Sequence, residues 1–264
     1  MLEVIRKGAV TESHPVPLLF VHGAWHGAWC WDEHFLDFFA DQGYACQAVS
    51  LRGHGLSAGR ERLRRSRIRE YVADVAEVAA QLPTPPVLVA HSMGGFVVQK
   101  YLERQTAPAA VLLAPVPPGG VLRLTLEIAR RHPVEFAKAN GTWSLAPLVS
   151  TPELVREMFF CEYTPGAEVA ACHRRVQDES YLAFLDMLAL DLVKTKRVNR
   201  VPMLVLGAEE DGIFSPREIR STAAAYGADV EICPGIGHDV MLEPGWRAVA
   251  ERIDGWLTGL ASGG

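Results

Sequence analysis

One run of residues limits the folds open to this chain more than any other. The apolar segment Val87-Leu88-Val89-Ala90-His91 breaks at Ser92-Met93-Gly94-Gly95 and resumes as the helix-compatible Phe96 to Leu102. A short apolar run closed by a glycine turn reads as a fully buried strand, and a strand that leads straight into a helix belongs to a parallel sheet. A serine at such a break is held clear of the sheet. In the G-x-S-x-G elbow the flanking residues are small because the serine backbone is strained and neighbouring strands pass close by. Here Gly94 fills the second small position, and Ala90, one methyl group larger, fills the first. Taken alone, the run also fits a buried strand that ends in an ordinary glycine-rich turn.

Other segments repeat the pattern of a buried strand with polar residues at its end. Pro17 to Val21 runs into His22-Gly23-Ala24-Trp25-His26-Gly27-Ala28-Trp29, a glycine-punctuated loop suited to aiming a backbone N–H. Pro202 to Gly207 delivers the cluster Glu209-Glu210-Asp211, and Val230 to Cys233 precedes Gly237-His238-Asp239. The chain order is therefore serine, acid, histidine, each after a predicted strand.

These elements together resemble the α/β-hydrolases, over nearly the whole chain. The resemblance rests on His22-Gly23-Ala24, Arg52-Gly53-His54-Gly55-Leu56-Ser57, the Ser92 elbow, Asp211 before Ile213-Phe214, and Gly237-His238. The His-Gly-Ala-Trp repeat is similar to the methylesterase and hydroxynitrile-lyase branch. The resemblance implies a Ser92–His238–Asp211 triad, with Glu209 and Glu210 as rivals for the acid. It also implies an oxyanion hole made by the backbone N–H groups of Ala24 and Met93. A serine hydroxyl needs a base to take its proton during attack; an imidazole can do so when a carboxylate fixes its tautomer.

The implied activity is ester cleavage through an acyl-enzyme, on a small apolar substrate and without a cofactor or metal. Thioester, lactone, amide or C–C hydrolysis, a hydroxynitrile-lyase reaction, and a ligand-binding receptor are the other readings. Plant lyases of the branch carry Thr after the first His and Lys after the catalytic His, where this chain has Gly23 and Asp239. Both departures favour hydrolysis.

Alternating strand and helix patterns predict a mostly parallel, doubly wound α/β sheet. Strands are expected at 2–10, 17–22, 44–50, 86–91, 109–114, 201–207 and 229–233, and helices at 31–42, 67–82, 93–105, 216–226 and 243–259. Residues 116–199 have helical patterns but no strand. They are read as a helical cap, with short helices at 121–131, 152–160, 167–178 and 181–190, inserted into a core of 1–115 and 200–264. Trp25, Trp143, Phe159, Phe160 and Met187 are the expected substrate-binding side chains. The six arginines between Arg60 and Arg69 read as a solvated run, and 261–264 as a disordered tail.

A hydrophobic content of 49% over 264 residues is ample for one core, and a net charge of −5 argues against nucleic acid. Five cysteines without C-x-x-C spacing read as reduced, packed thiols. No signal-peptide core or membrane-length apolar run is seen, so the expected compartment is the cytoplasm. His22 and His26, four apart, lie among glycines and so in a loop rather than on a metal-binding helix face.

Overall fold

The computed structural model describes residues 1–262. Its strands are β1 (Glu3–Lys7), β2 (Leu18–Val21), β3 (Cys46–Ser50), β4 (Val87–His91), β5 (Ala110–Leu113), β6 (Met203–Ala208) and β7 (Asp229–Cys233). They form one seven-stranded sheet in the order β1-β3-β2-β4-β5-β6-β7. Only β1 is antiparallel, pairing with β3; the other pairs are parallel. β2, β4, β5 and β6 are buried at every residue, as expected of parallel strands covered on both faces.

The core helices are α1 (Phe35–Asp41), α2 (Ile68–Ala80), α3 (Met93–Leu102), α9 (Pro216–Tyr226) and α10 (Trp246–Ser262). The expected helix over 31–42 is broken: one turn at Trp29–Asp32 precedes α1, whose Phe35 and Phe38 meet Trp246 of α10. α9 has its boundaries written locally. Ser215 and Glu218 form a capping box, Pro216 holds the first turn, and Gly227 closes the helix at φ 65°. α10 continues through Ala261 and Ser262, which corrects the expected tail there; Gly263 and Gly264 lie outside the described residues.

α3 is the central helix, and all ten of its residues are buried. Gly94 lets it approach the sheet: a Cβ there would stand 2.5 Å from the carbonyl oxygens of both Val21 and His22. Phe96, fully buried, anchors the helix in the core. Its truncation to alanine costs about 3–5 kcal/mol by the usual cavity rule.

Between β5 and β6 the described residues contain helices and no strand: α4 (Leu122–Arg131), α5 (Pro133–Thr142), α6 (Pro152–Phe159), α7 (Gly166–His173) and α8 (Tyr181–Leu185), with a π-turn at Asp186–Leu190. α5 was not expected from the sequence. α7 is shorter than the 167–178 pattern, and the residues after it, Gln177 to Ser180, lie against the core. The arginine run makes the docking contacts there, so it is not merely solvated. Arg60 donates to Gln177, Arg64 to Asp178, and Arg67 to the buried Asp186.

Candidate active site

Ser92 joins β4 to α3 at φ 50° and ψ −117°, a strained geometry for a non-glycine residue. The strain is held on both sides, since Ser92 N–H donates to Leu113 O at 3.0 Å and Val116 N–H donates to Ser92 O at 3.1 Å. The loop after β7 brings His238 Nε2 to 2.9 Å from Ser92 Oγ. The other imidazole nitrogen, Nδ1, donates to Asp211 Oδ2 at 2.9 Å. Asp211 follows β6, and its Oδ1 also accepts from the backbone N–H groups of Ile213 (2.7 Å) and Phe214 (2.9 Å). The carboxylate is thereby fixed, and it selects the tautomer that leaves His238 Nε2 free to accept the serine proton. Glu209 and Glu210 are exposed, and Glu209 accepts from Gly235 N–H instead.

The His22–Trp25 loop lies beside the serine. Gly23 is packed so tightly that a Cβ would stand 2.7 Å from His91 Nδ1 and 3.0 Å from Ser92 Cβ. Its carbonyl accepts from His22 Nδ1 at 2.7 Å. In a trans peptide the C=O and the next N–H point opposite ways, so this bond turns the Ala24 N–H away from His22. Among the described residues, neither Ala24 N–H nor Met93 N–H has a hydrogen-bond partner in the protein.

Three buried histidines stand around this centre. His22 Nε2 accepts from Leu51 N–H, and burial, helped by nearby His54, pushes its pKa well below 6.5. His91 donates to His238 O at 3.0 Å; burial and the adjacent His238 push its pKa down to about 3. His26 differs because both of its nitrogens face acceptors, Ala24 O at 2.7 Å and Asp239 Oδ2 at 3.0 Å. Burial works against its charge, but the Asp239 carboxylate outweighs that and raises the His26 pKa well above 6.5. Cys172 Sγ lies 3.9 Å from His26 Nε2, which puts three metal-capable atoms together with Asp239. The His26–Asp239 ion pair already satisfies the histidine and one carboxylate oxygen of that set.

A family model described as the alpha/beta hydrolase family matches residues 18–252. The chain belongs to the alpha/beta hydrolase family. Among its relatives, Methylesterase 18 of Arabidopsis thaliana is 24% identical over 78% of this chain and 82% of its own length. A monoacylglycerol lipase of Mycolicibacterium smegmatis is 24% identical over 85% of this chain and 82% of its own. Among solved structures, BpoC from Mycobacterium tuberculosis H37Rv superposes with a TM-score of 0.80 at 20% identity, covering 98% of this chain and 96% of that one.

In this alpha/beta hydrolase Ser92 opens onto a cavity of about 60 Å³. Trp25 and Met93 line it from the core, with Ile213 and Phe214; Leu124, Ile128, Phe184 and Met187 line it from the helical segment. Three of the side chains expected to bind substrate stand elsewhere. Trp143 ends α5 at φ 54°, is 56% exposed, and lays its ring against Tyr181, because the helix terminates in a left-handed turn that swings the indole outward. Phe159 is fully buried behind the site, packed on Trp25, His26 and His238, and Phe160 is buried beside it without reaching the cavity. Leu124, Thr125 and Ile128 were missed as lining. They stand three, four and seven residues after Val121, the spacing of one face of α4, and that periodicity was the available signal.

Proposed function

We propose that this protein hydrolyses small carboxylic esters through an acyl-enzyme, with Ser92 as nucleophile, His238 as general base and then acid, and Asp211 as the group that orients the imidazole. The reading rests above all on the unbroken hydrogen-bond series Ser92–His238–Asp211 at the end of three strands of one sheet. Attack on the ester carbonyl moves the serine proton to His238 Nε2. The oxyanion is received by the Ala24 and Met93 N–H groups, the latter at the positive end of α3. His238 returns the proton to the departing alcohol, and water then repeats the sequence on the acyl-serine. Helices α4 to α8 serve as the cap over this centre. The methylesterase and lipase relatives point to ester substrates, and the small apolar cavity points to a short acyl group. Gly23 favours hydrolysis over hydroxynitrile-lyase chemistry, because the space a threonine side chain needs there is taken by His91 and Ser92.

The test is a series of p-nitrophenyl esters from acetate to decanoate, together with a small fluorophosphonate. Wild type is expected to turn over the shortest esters fastest and to gain one phosphonate on Ser92. Ser92→Ala should lose the label and several orders of magnitude of turnover, since the members of such a unit act together. Near wild-type turnover in folded Ser92→Ala would end this reading.

A further inference from the structure

We infer that the stretch Gln177-Asp178-Glu179, between α7 and α8, sets the oxyanion loop, with Glu179 as a positioning residue for acyl transfer; this rests on the function proposed above. Trp25, directly after the Ala24 amide, sits at φ 65°, a conformation that costs a bulky residue on the order of 1–2 kcal/mol unless its surroundings hold it. The holding groups come from the helical segment. Gln177 N–H donates to Trp25 O at 2.9 Å, Trp25 N–H donates to Glu179 Oε2 at 3.3 Å, and the indole N–H donates to Leu145 O at 3.2 Å. His26 secures the carbonyl between Ala24 and Trp25. The peptide planes on either side of Trp25 are therefore held by Glu179 and Gln177 together with His26, and the Ala24 N–H, one plane earlier, has no partner in the protein among the described residues.

Glu179 is built for this role and not for proton transfer. It is fully buried, and its two oxygens accept from four donors: Trp25 N–H, His54 Nε2, Tyr71 O–H and its neighbour Ser180 N–H. A carboxylate has about four lone-pair positions, so none remains to take a proton from water or substrate although the residue borders the cavity. The residues around it are tethered to the core as well. Gln177 accepts from Gly55 N–H and Arg60, and donates to Gly53 O; Asp178 accepts from Arg64. Lifting the stretch between α7 and α8 from the core would release the loop, so a complete oxyanion hole requires this stretch to be docked.

The experiment compares Glu179→Ala and Glu179→Gln with wild type on p-nitrophenyl acetate and on the small fluorophosphonate, with thermal melting to establish folding. Losing the alignment of one oxyanion donor is worth ~10²-fold or more in kcat. Glu179→Ala is expected to lose kcat by that order with KM within about threefold, and to react with the phosphonate correspondingly slowly, because its adduct needs the same N–H groups. Glu179→Gln keeps an amide oxygen for Trp25 N–H and is expected to recover most of the kcat. If Glu179→Ala does not fold, Glu179→Asp takes its place, since the shorter side chain withdraws the carboxylate from Trp25 N–H: a lower kcat at unchanged KM, recovered in Glu179→Gln, supports the inference, and wild-type kcat in Glu179→Asp overturns it. Folded Glu179→Ala with wild-type kcat overturns it, as does a Gln variant with the loss and altered pH profile of a missing base. Ser92→Ala, run in parallel, separates the two ideas: if it keeps turnover, the proposed reaction fails. If it is inactive while folded Glu179→Ala is unimpaired, only the positioning role fails.

Discussion

Asp211 is held by two backbone N–H groups as well as by His238, while Glu209 and Glu210 stand in solvent. A neutral amide at 211 can present its NH₂ to the imidazole and impose the other tautomer. Asp211→Asn should therefore lower kcat by a factor on the order of 10⁴, with Glu209→Gln and Glu210→Gln within about threefold of wild type. Steady-state kinetics on one short ester decides it, and a collapse at Glu210 instead would move the role. Gly23 gives a second prediction. The Cβ of Gly23→Ala meets an imidazole nitrogen and the Ser92 Cβ, so the loop must shift by several tenths of an ångström. We expect kcat to fall at least tenfold, with a loss of about 1–3 kcal/mol in stability from the overpacking; wild-type kcat would show that the amide tolerates the shift. Ser92, Asp211 and His238 were legible in the sequence because each follows a recognisable strand. Glu179 and Asp239 were not, because His54 meets Glu179 across 125 residues and His26 meets Asp239 across 213, pairings that no local pattern encodes.

Among the elements, the strands after the first lie within about two residues of their expected bounds, whereas the leading strand, expected over 2–10, spans only Glu3–Lys7; buried strands such as Leu18–Val21 and Ala110–Leu113 stand out as short aliphatic runs, and the half-exposed leading strand does not. The helical segment was legible in kind but not in detail. α5 begins at a proline and carries a weak apolar face, and the bend that exposes Trp143 is set by contacts beyond the helix. This corrects which side chains should set acyl-chain preference. Leu124→Ala, Phe184→Ala and Met187→Ala are expected to enlarge the cavity and move the preferred p-nitrophenyl ester to longer chains, each methylene being worth about 1–3 kcal/mol in discrimination. Trp143→Ala should leave the preference where it is. The reverse result in the same ester series would place substrate against the outer face of α5.

Across the molecule, the buried histidines give stability a definite pH dependence. His22 and His91 stay neutral when folded but bind protons near pH 6.5 when unfolded, so stability is lost as pH falls from 6.5, for His91 down to about 3. Each contributes about 1.4 kcal/mol per pH unit within its interval. His26 acts in the opposite direction. Its folded pKa is raised, so its contribution is complete below 6.5 and disappears as pH rises through the folded value. Burial opposes the Asp239 charge, yet the His26 charge prevails and lowers its pKa, so that contribution holds above 3.8 and is lost as pH falls through the folded value. Urea denaturation from pH 4 to 9 should show a maximum near neutrality, and a flat acid limb would contradict the assignment. In all of the described residues no helix is long and apolar enough to cross a membrane.

The place where the helical segment enters the sheet also dictates how the polypeptide must be made. β5 and β6 are hydrogen-bonded neighbours, yet residues 114–202 come between them. A growing chain emerges N-terminus first, so β5 leaves the ribosome long before the strand that pairs with its outer edge. Ala110–Leu113, every residue buried in the finished protein, has no hydrogen-bonded neighbour on that side until Met203–Ala208 is synthesised. Such long-range pairing closes slowly and leaves sticky intermediates. A fragment ending near residue 200 leaves that edge of β5 unpaired and is therefore expected to aggregate where the full-length chain stays dispersed, a difference that light scattering would show.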